Sequence, residues 1–148
     1  GDDLILAIYV NELLVRLLPE GDEYSGIFSA YWDFIKKMNH KSSSEKEYAL
    51  RIFENQLLQE LGYGLDFQND LEGNSIKSNH LYDFIEDQGF IEQTEGKILG
   101  EILLNIVSPN QVTPNSEGLN TLKKMNRKRL KYLLGDKPLK SKELFFIN

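Results

Sequence analysis

Apolar residues recur along this chain at the three- and four-residue steps of helices, with one short interruption where the spacing resembles strands. From Leu4 to Leu18 they are dense, and Leu4, Ile8, Leu14, Val15, Leu17 and Leu18 predict a mostly buried helix stopped by Pro19-Glu20-Gly21. A second helix is predicted from Glu23 to Met38, packed through Ile27, Phe28, Tyr31, Trp32, Phe34 and Ile35. Lys36 and Lys37 fall in its last turn, where they suit the helix dipole. Ser44 with Glu47 has the spacing of a capping box, which starts a third helix on Tyr48, Ile52, Phe53, Leu57, Leu58 and Leu61; Gly62 ends it.

The pattern then changes. Residues 63–79 carry glycine, Asp and Asn without clear periodicity and read as irregular. Leu81–Glu86 and Phe90–Gln93, separated by Asp87-Gln88-Gly89, read as a short β-hairpin. A brief helix is expected from Lys97 to Ile106, followed by a linker between Pro109 and Pro114. Leu119, Leu122, Met125, Leu130, Leu133 and Leu134 predict a last long helix from Ser116 to about Leu134, closed by Gly135. A final helical turn is expected from Ser141. The fold class is mainly α: a compact helical bundle with a small irregular or β-hairpin insert. The expected organisation is a helical part over 1–64, an insert over 65–96, and C-terminal helices over 97–148 that pack with 1–64 as one domain.

A length of 148 residues with 41% hydrophobic content supports one sizeable core. The absence of cysteine removes disulfides, thiolate metal sites and cysteine nucleophiles, and is compatible with a reducing cytosol. The apolar runs are too short to span a bilayer as helices, so no membrane role is expected. Gly1 reads as a remnant of cleavage, and the chain opens almost directly on a helical pattern, as a fragment with a preceding domain removed would.

Charge changes the picture most. The net charge is −6, yet nine of the seventeen basic residues lie between Ser116 and Phe146 against three acids. The remainder carries eight basic and twenty acidic residues. On the last long helix Lys123, Arg127 and Lys131 are four apart, with Lys124 and Lys128 beside them. Such rows of like charge repel by a few tenths of a kcal/mol per pair, roughly, so either an anion meets them or they are simply a solvated face. Lys137, Lys140 and Lys142 extend the basic stretch. A second candidate is Arg51, among Tyr48, Leu50, Ile52 and Phe53. It can grip a carboxylate bidentately beside apolar pockets, or pair with Glu47, Glu54 or Asn55 on its own helix.

Catalytic groups do not converge in this pattern. His40 and His80 sit in polar loops, Gly62-Tyr63-Gly64 follows a helix rather than a strand, and the carboxylates are scattered. No enzyme, metal or cofactor is expected.

Three segments carry a resemblance. Tyr9-Val10-Asn11-Glu12-Leu13-Leu14 with Leu17-Leu18-Pro19, then Ala49-Leu50-Arg51-Ile52-Phe53-Glu54 with Leu57-Leu58 and Leu61-Gly62-Tyr63-Gly64, then residues 134–145, resemble in order and spacing the landmarks of the RecO family of bacterial DNA repair proteins. The last of these, Leu134-Gly135-Asp136-Lys137-Pro138-Leu139-Lys140-Ser141-Lys142-Glu143-Leu144-Phe145, is the most specific. Members carry an N-terminal oligonucleotide-binding barrel, which has no counterpart here, so the chain is similar to the helical and C-terminal portion.

The resemblance implies a non-enzymatic recombination mediator that binds single- and double-stranded DNA and anneals complementary strands. It also implies action with RecR to help load RecA onto strands coated by single-stranded DNA-binding protein, in the bacterial cytoplasm at the nucleoid. The tail of that coating protein is expected at Arg51, flanked by Tyr48 and Ile52; the position after the arginine is often basic in the family, and here it is Ile52. DNA is expected at Lys123, Lys124, Arg127, Lys128, Lys131, Lys137, Lys140 and Lys142, binding only weakly without the barrel. Many relatives carry a four-cysteine zinc module after Gly-Tyr-Gly. Here its remnant is expected to be metal-free, packed around Leu81, Phe84, Ile85, Phe90 and Ile91. The alternative is a helical protein-interaction domain with no nucleic-acid role.

Overall fold

The first apolar stretch forms helix α1 (Asp2–Leu17), whose inward stripe is Leu6, Tyr9, Val10 and Leu13. Leu14, Leu17 and Leu18 pack partly against the same core. Leu4, Ile8 and Val15 form a second stripe that faces outward, 63%, 39% and 81% exposed. This corrects the expectation of a mostly buried helix: a segment apolar on every side does not reveal which side has a neighbour. Helix α2 (Ser25–Lys37) buries Ile27, Ala30 and Phe34, with Met38 just beyond, while Phe28 and Trp32 are both 60% exposed rather than packed. At about 100° per residue these two rings fall more than a quarter turn from the Ile27–Phe34 line.

The structure, a computed structural model, describes residues 2–18, 25–39 and 41–135. The stop at Pro19-Glu20-Gly21, the start of α2 at Glu23, His40 and the turn begun at Ser141 lie outside the described residues.

Helix α3 (Ser43–Glu60) is capped by Ser42 rather than Ser44. The Glu45 amide donates to Ser42 Oγ at 3.3 Å, and the Ser42 amide donates to Glu45 Oε1 at 3.1 Å. The run Ser42-Ser43-Ser44 offers two registers of the same box, and the earlier one leaves Glu47 free to face Arg51 a turn later. At the other end Gly62, with φ of 90°, lets the Gly62 amide reach Gln59 O at 3.0 Å and the Tyr63 amide reach Leu58 O at 2.8 Å, the paired bonds of a Schellman turn.

Helix α3 is buried on nearly all sides because it serves two apolar clusters. One joins it to α1 and α2 through Val10, Leu13, Ile27, Phe34, Phe53 and Leu57. The other joins it to the insert and the C-terminal helices through Tyr48, Ile52, Phe67, Tyr82, Phe90 and Leu122.

The insert holds three antiparallel strands, β1 (Leu81–Ile85), β2 (Gly89–Glu92) and β3 (Ile98–Leu99), in the order β2-β1-β3. The hairpin is as expected, with Phe84 opposite Phe90 and Tyr82 opposite Glu92. Its packing differs from expectation: Tyr82 and Phe90 are fully enclosed, while Leu81, Phe84, Ile85 and Ile91 are half-buried. Tyr82 and Phe84 share one face of β1, and the Tyr82 hydroxyl accepts from the Lys77 amide at 2.8 Å.

The short strand β3 takes what the sequence reads as the first turn of the following helix, so α4 runs only over Gly100–Ile106. A Cβ at Gly100 would come within 2.0 Å of the Lys77 carbonyl oxygen, which makes that junction a glycine position. Helix α5 (Ser116–Leu134) has the expected bounds, with Asn115 as its cap: Asn115 Oδ1 accepts from the Gly118 amide at 2.9 Å. Gly135, at φ of 68°, closes it.

Candidate functional site

Helix α5 packs along α3 and reaches α1 and β3. Its buried side is Leu119, Leu122, Met125, Asn126, Arg129 and Leu130. What remains outward is basic: Lys124, Lys128 and Lys131 are exposed, and Lys123 and Arg127 sit half-buried along one border. Lys128 lies 3.9 Å from Glu86, an exposed pair that screening leaves weak. Lys137, Lys140 and Lys142 lie outside the described residues.

The border joins the two candidates that the sequence leaves apart. Burial lowers the Lys123 pKa, and the charges of Arg127 and Arg51 lower it further, with Glu47 opposing them. Arg51 of α3 and the basic row of α5 therefore share one field. Glu47, the carboxylate that opposes them, lies 3.9 Å from Arg51 Nη2.

Behind the border lies a buried polar junction. Arg51 is 8% exposed and donates from Nη1 to Glu54 Oε1 at 2.8 Å. Glu54 is wholly buried and also accepts from Asn126 Nδ2 at 3.0 Å and from the Tyr9 hydroxyl. Asn126 and Asn55 both donate to the Arg51 carbonyl, at 3.2 and 2.9 Å. One carboxylate thus collects donors from α1, α3 and α5. Burial alone would lower the Arg51 pKa, but the charge and hydrogen bond of Glu54, with smaller contributions from Tyr9 and Glu47, together raise it. Burial and then Glu54 push the Tyr9 phenol well above its usual value, so it stays a donor. Arg51 Nε is buried and has no hydrogen-bond partner among the described residues.

Tyr48 and Ile52, expected beside Arg51 in the tail site, belong to the second core cluster at 4% and 3% exposure. The Tyr48 hydroxyl accepts from Asn105 Nδ2 at 3.2 Å, and burial pushes its pKa up to about 12.

The same-helix pairing of Arg51 that the sequence allows is present, with Glu54 at 2.8 Å and Glu47 at 3.9 Å, whereas Asn126 and Arg129, which join this junction from α5, were missed. Arg129 is 7% exposed; it donates from Nη1 to Asn55 Oδ1 and from Nη2 to the Tyr63 carbonyl at 3.1 Å, and its guanidinium lies 6.0 Å from the Phe67 ring centre. Burial brings its pKa down to about 10. The signal for Arg129 was available, since it falls on the apolar side of α5 with Leu122 and Met125 rather than on the four-apart basic row. Nothing in the periodicity marks Glu54, which reads as an ordinary polar position.

Elsewhere the chemistry is sparse. His80 Nδ1 pairs with Glu92 at the surface of the insert. A groove of about 500 Å³ between α3 and the 106–111 segment is lined by amides such as Gln56, Gln59 and Gln111, with no basic side chain in its wall. Among the described residues no group of three or more His, Asp or Glu is placed to hold a metal, and no helix is long and apolar enough to cross a membrane.

Comparison with known proteins bears on this arrangement. The family model described as "Recombination protein O C terminal" matches residues 1–143. The chain is 36% identical over 146 residues to the DNA repair protein RecO of Pseudoalteromonas translucida, covering 98% of this chain and 62% of that protein. It is 36% identical over 151 residues to RecO of Coxiella burnetii, covering 99% and 63% respectively. With RecO of Yersinia enterocolitica the identity is 37% over 149 residues, covering 98% and 61%. The chain thus spans somewhat under two thirds of the length of these relatives.

Proposed function

The chain belongs to the RecO C-terminal family, and from that premise we propose that it is the partner- and DNA-contacting part of a non-enzymatic recombination mediator. In this reading the exposed cations of α5 neutralise phosphates and lower the repulsion between two strands, while base pairing supplies selectivity. The border formed by Arg51, Lys123 and Arg127 receives a carboxylate from the acidic C-terminal tail of single-stranded DNA-binding protein. RecR and RecA act with it as the family resemblance implies, RecA indirectly.

The observation that carries the reading is that α5 packs against Arg51 of α3, with Asn126 on the Arg51 carbonyl at 3.2 Å, so that the exposed basic row of α5 runs beside Arg51 and Lys123 feels its charge. An entering carboxylate at the half-buried Lys123 would relieve the like-charge repulsion that its cationic neighbours impose on it. Because Lys123 and Arg127 belong both to this border and to the α5 row, tail peptide and DNA are expected to compete.

The test is fluorescence anisotropy of the chain with a labelled peptide copying that acidic tail. Lys123→Ala should weaken binding about three- to tenfold, the effect of one charge-assisted contact at a partly exposed site, without disturbing the Arg51–Glu54 pair. Peptide affinity unchanged by Lys123→Ala and insensitive to salt would overturn the tail site. Retention on an acidic protein partner, with no retention on DNA at low salt, would favour the protein-interaction reading instead.

A further inference from the structure

Two tyrosine rings stand exposed where α3 ends beside α5. Tyr63 is 47% exposed and Tyr132 is 67% exposed, and their centroids are 6.5 Å apart at 63°, an edge-to-face pair. Neither ring is left loose by its backbone. Tyr63 is the residue that the Schellman turn fixes through its amide on Leu58 O at 2.8 Å, and its carbonyl is held by the buried Arg129 guanidinium at 3.1 Å. Tyr132 lies in the last turns of α5, one turn beyond the exposed Lys128 and next to the exposed Lys131.

Exposed aromatic surface costs free energy unless something covers it. In an edge-to-face pair the ring that offers its edge keeps both of its faces open, and the other keeps one. What could cover these faces is indicated by the charge beside them: the cations that attract phosphates are a single helical turn from rings that can stack on a base.

We propose that Tyr63 and Tyr132 form a base-stacking platform for single-stranded DNA at the end of the basic face of α5, with Lys128 and Lys131 meeting the flanking phosphates. This rests on the DNA-binding reading above and adds a discrimination to it. Phosphate contacts serve duplex and single strands alike, whereas a stacking ring needs an unpaired base. The platform therefore biases the face towards unpaired strands without preferring a sequence, which suits a protein that must hold strands before they pair.

The experiment compares two labelled probes of equal length, an oligothymidylate and an abasic deoxyribose-phosphate strand, by anisotropy with the 148-residue chain. The wild type should bind the oligothymidylate more tightly. Tyr132→Leu and Tyr63→Leu should each lower affinity for the oligothymidylate about tenfold, the scale of one lost base stack, while leaving abasic affinity and its salt dependence unchanged. Tyr132→Phe should keep wild-type affinity for the oligothymidylate, because the ring and not the hydroxyl stacks. Thermal melts of the Leu variants check the fold, and the abasic probe reports the intact phosphate-binding face within the same samples. Equal binding of the two probes by the wild type, or equal losses on both probes in the Leu variants, overturns the platform while the phosphate-binding reading stands. Absence of salt-dependent binding to either probe overturns that reading, and the platform with it.

Discussion

Removing the Glu54 carboxylate should be among the most damaging single changes this chain can suffer. Glu54 is fully buried and accepts from Arg51 at 2.8 Å, from Asn126 at 3.0 Å and from the Tyr9 hydroxyl. Glu54→Ala strands the buried Arg51 guanidinium, which already carries one N–H without a partner. Hydrogen bonds to a charged group contribute about 1.5–3 kcal/mol each, but three that share one acceptor do not add. An uncompensated buried charge costs about 3–5 kcal/mol, and that is the expected loss in urea unfolding. For a chain of this size it corresponds to a fall in Tm of about 6–20 °C.

Arg51→Met combined with Glu54→Leu should recover part of the loss, since it removes the stranded charge with its partner and fills the space with apolar volume. The double-mutant cycle separates that pairwise energy from the loss of packing. A Glu54→Ala variant within about 1 kcal/mol of wild type would refute the reasoning, because it would mean that Arg51 finds water or another acceptor at no cost.

Ser42→Ala should cost about 1 kcal/mol in equilibrium unfolding while Ser44→Ala stays within about 0.5 kcal/mol, which distinguishes the two registers of the capping box. Tyr48 has its pKa raised to about 12 in the fold, above the unfolded value of about 10. Its contribution is therefore complete below about pH 10 and is lost as pH rises towards 12; Tyr48→Phe should flatten part of that alkaline fall in stability by about 1–2 kcal/mol. Arg129→Met should destabilise by about 2–4 kcal/mol, since it frees the Tyr63 carbonyl and Asn55 Oδ1. In competition anisotropy, acidic tail peptide should displace single-stranded DNA, and displacement should weaken in Lys123→Ala.

Long helices with one apolar face were legible in the sequence, and α5 is the clearest because Leu119, Leu122, Met125 and Leu130 set its face while Gly135 sets its end. Helix α1 was legible as a helix but not in orientation: Leu4 and Val15 carry the same apolar signal as Leu6 and Val10, and only the neighbouring helices decide between them. The two-residue strand β3 is too short to show a period. At the candidate site, the basic row of α5 could be read from spacing alone. That Arg51 adjoins it could not, because the contact is made by packing two helices more than seventy positions apart. The same packing hides the Glu54 junction, for a buried carboxylate looks like a solvated one until its donors from α1 and α5 are in place.

The most direct measurement of the central claim is the salt dependence of single-stranded DNA binding by wild type and by a Lys124→Ala, Lys128→Ala, Lys131→Ala triple variant. If about six phosphates are neutralised, log affinity should fall against log salt with a slope of roughly −4, and the triple variant should flatten it by about 2. Binding that ignores salt, or a triple variant with the wild-type slope, would contradict the assignment of DNA to this face of α5.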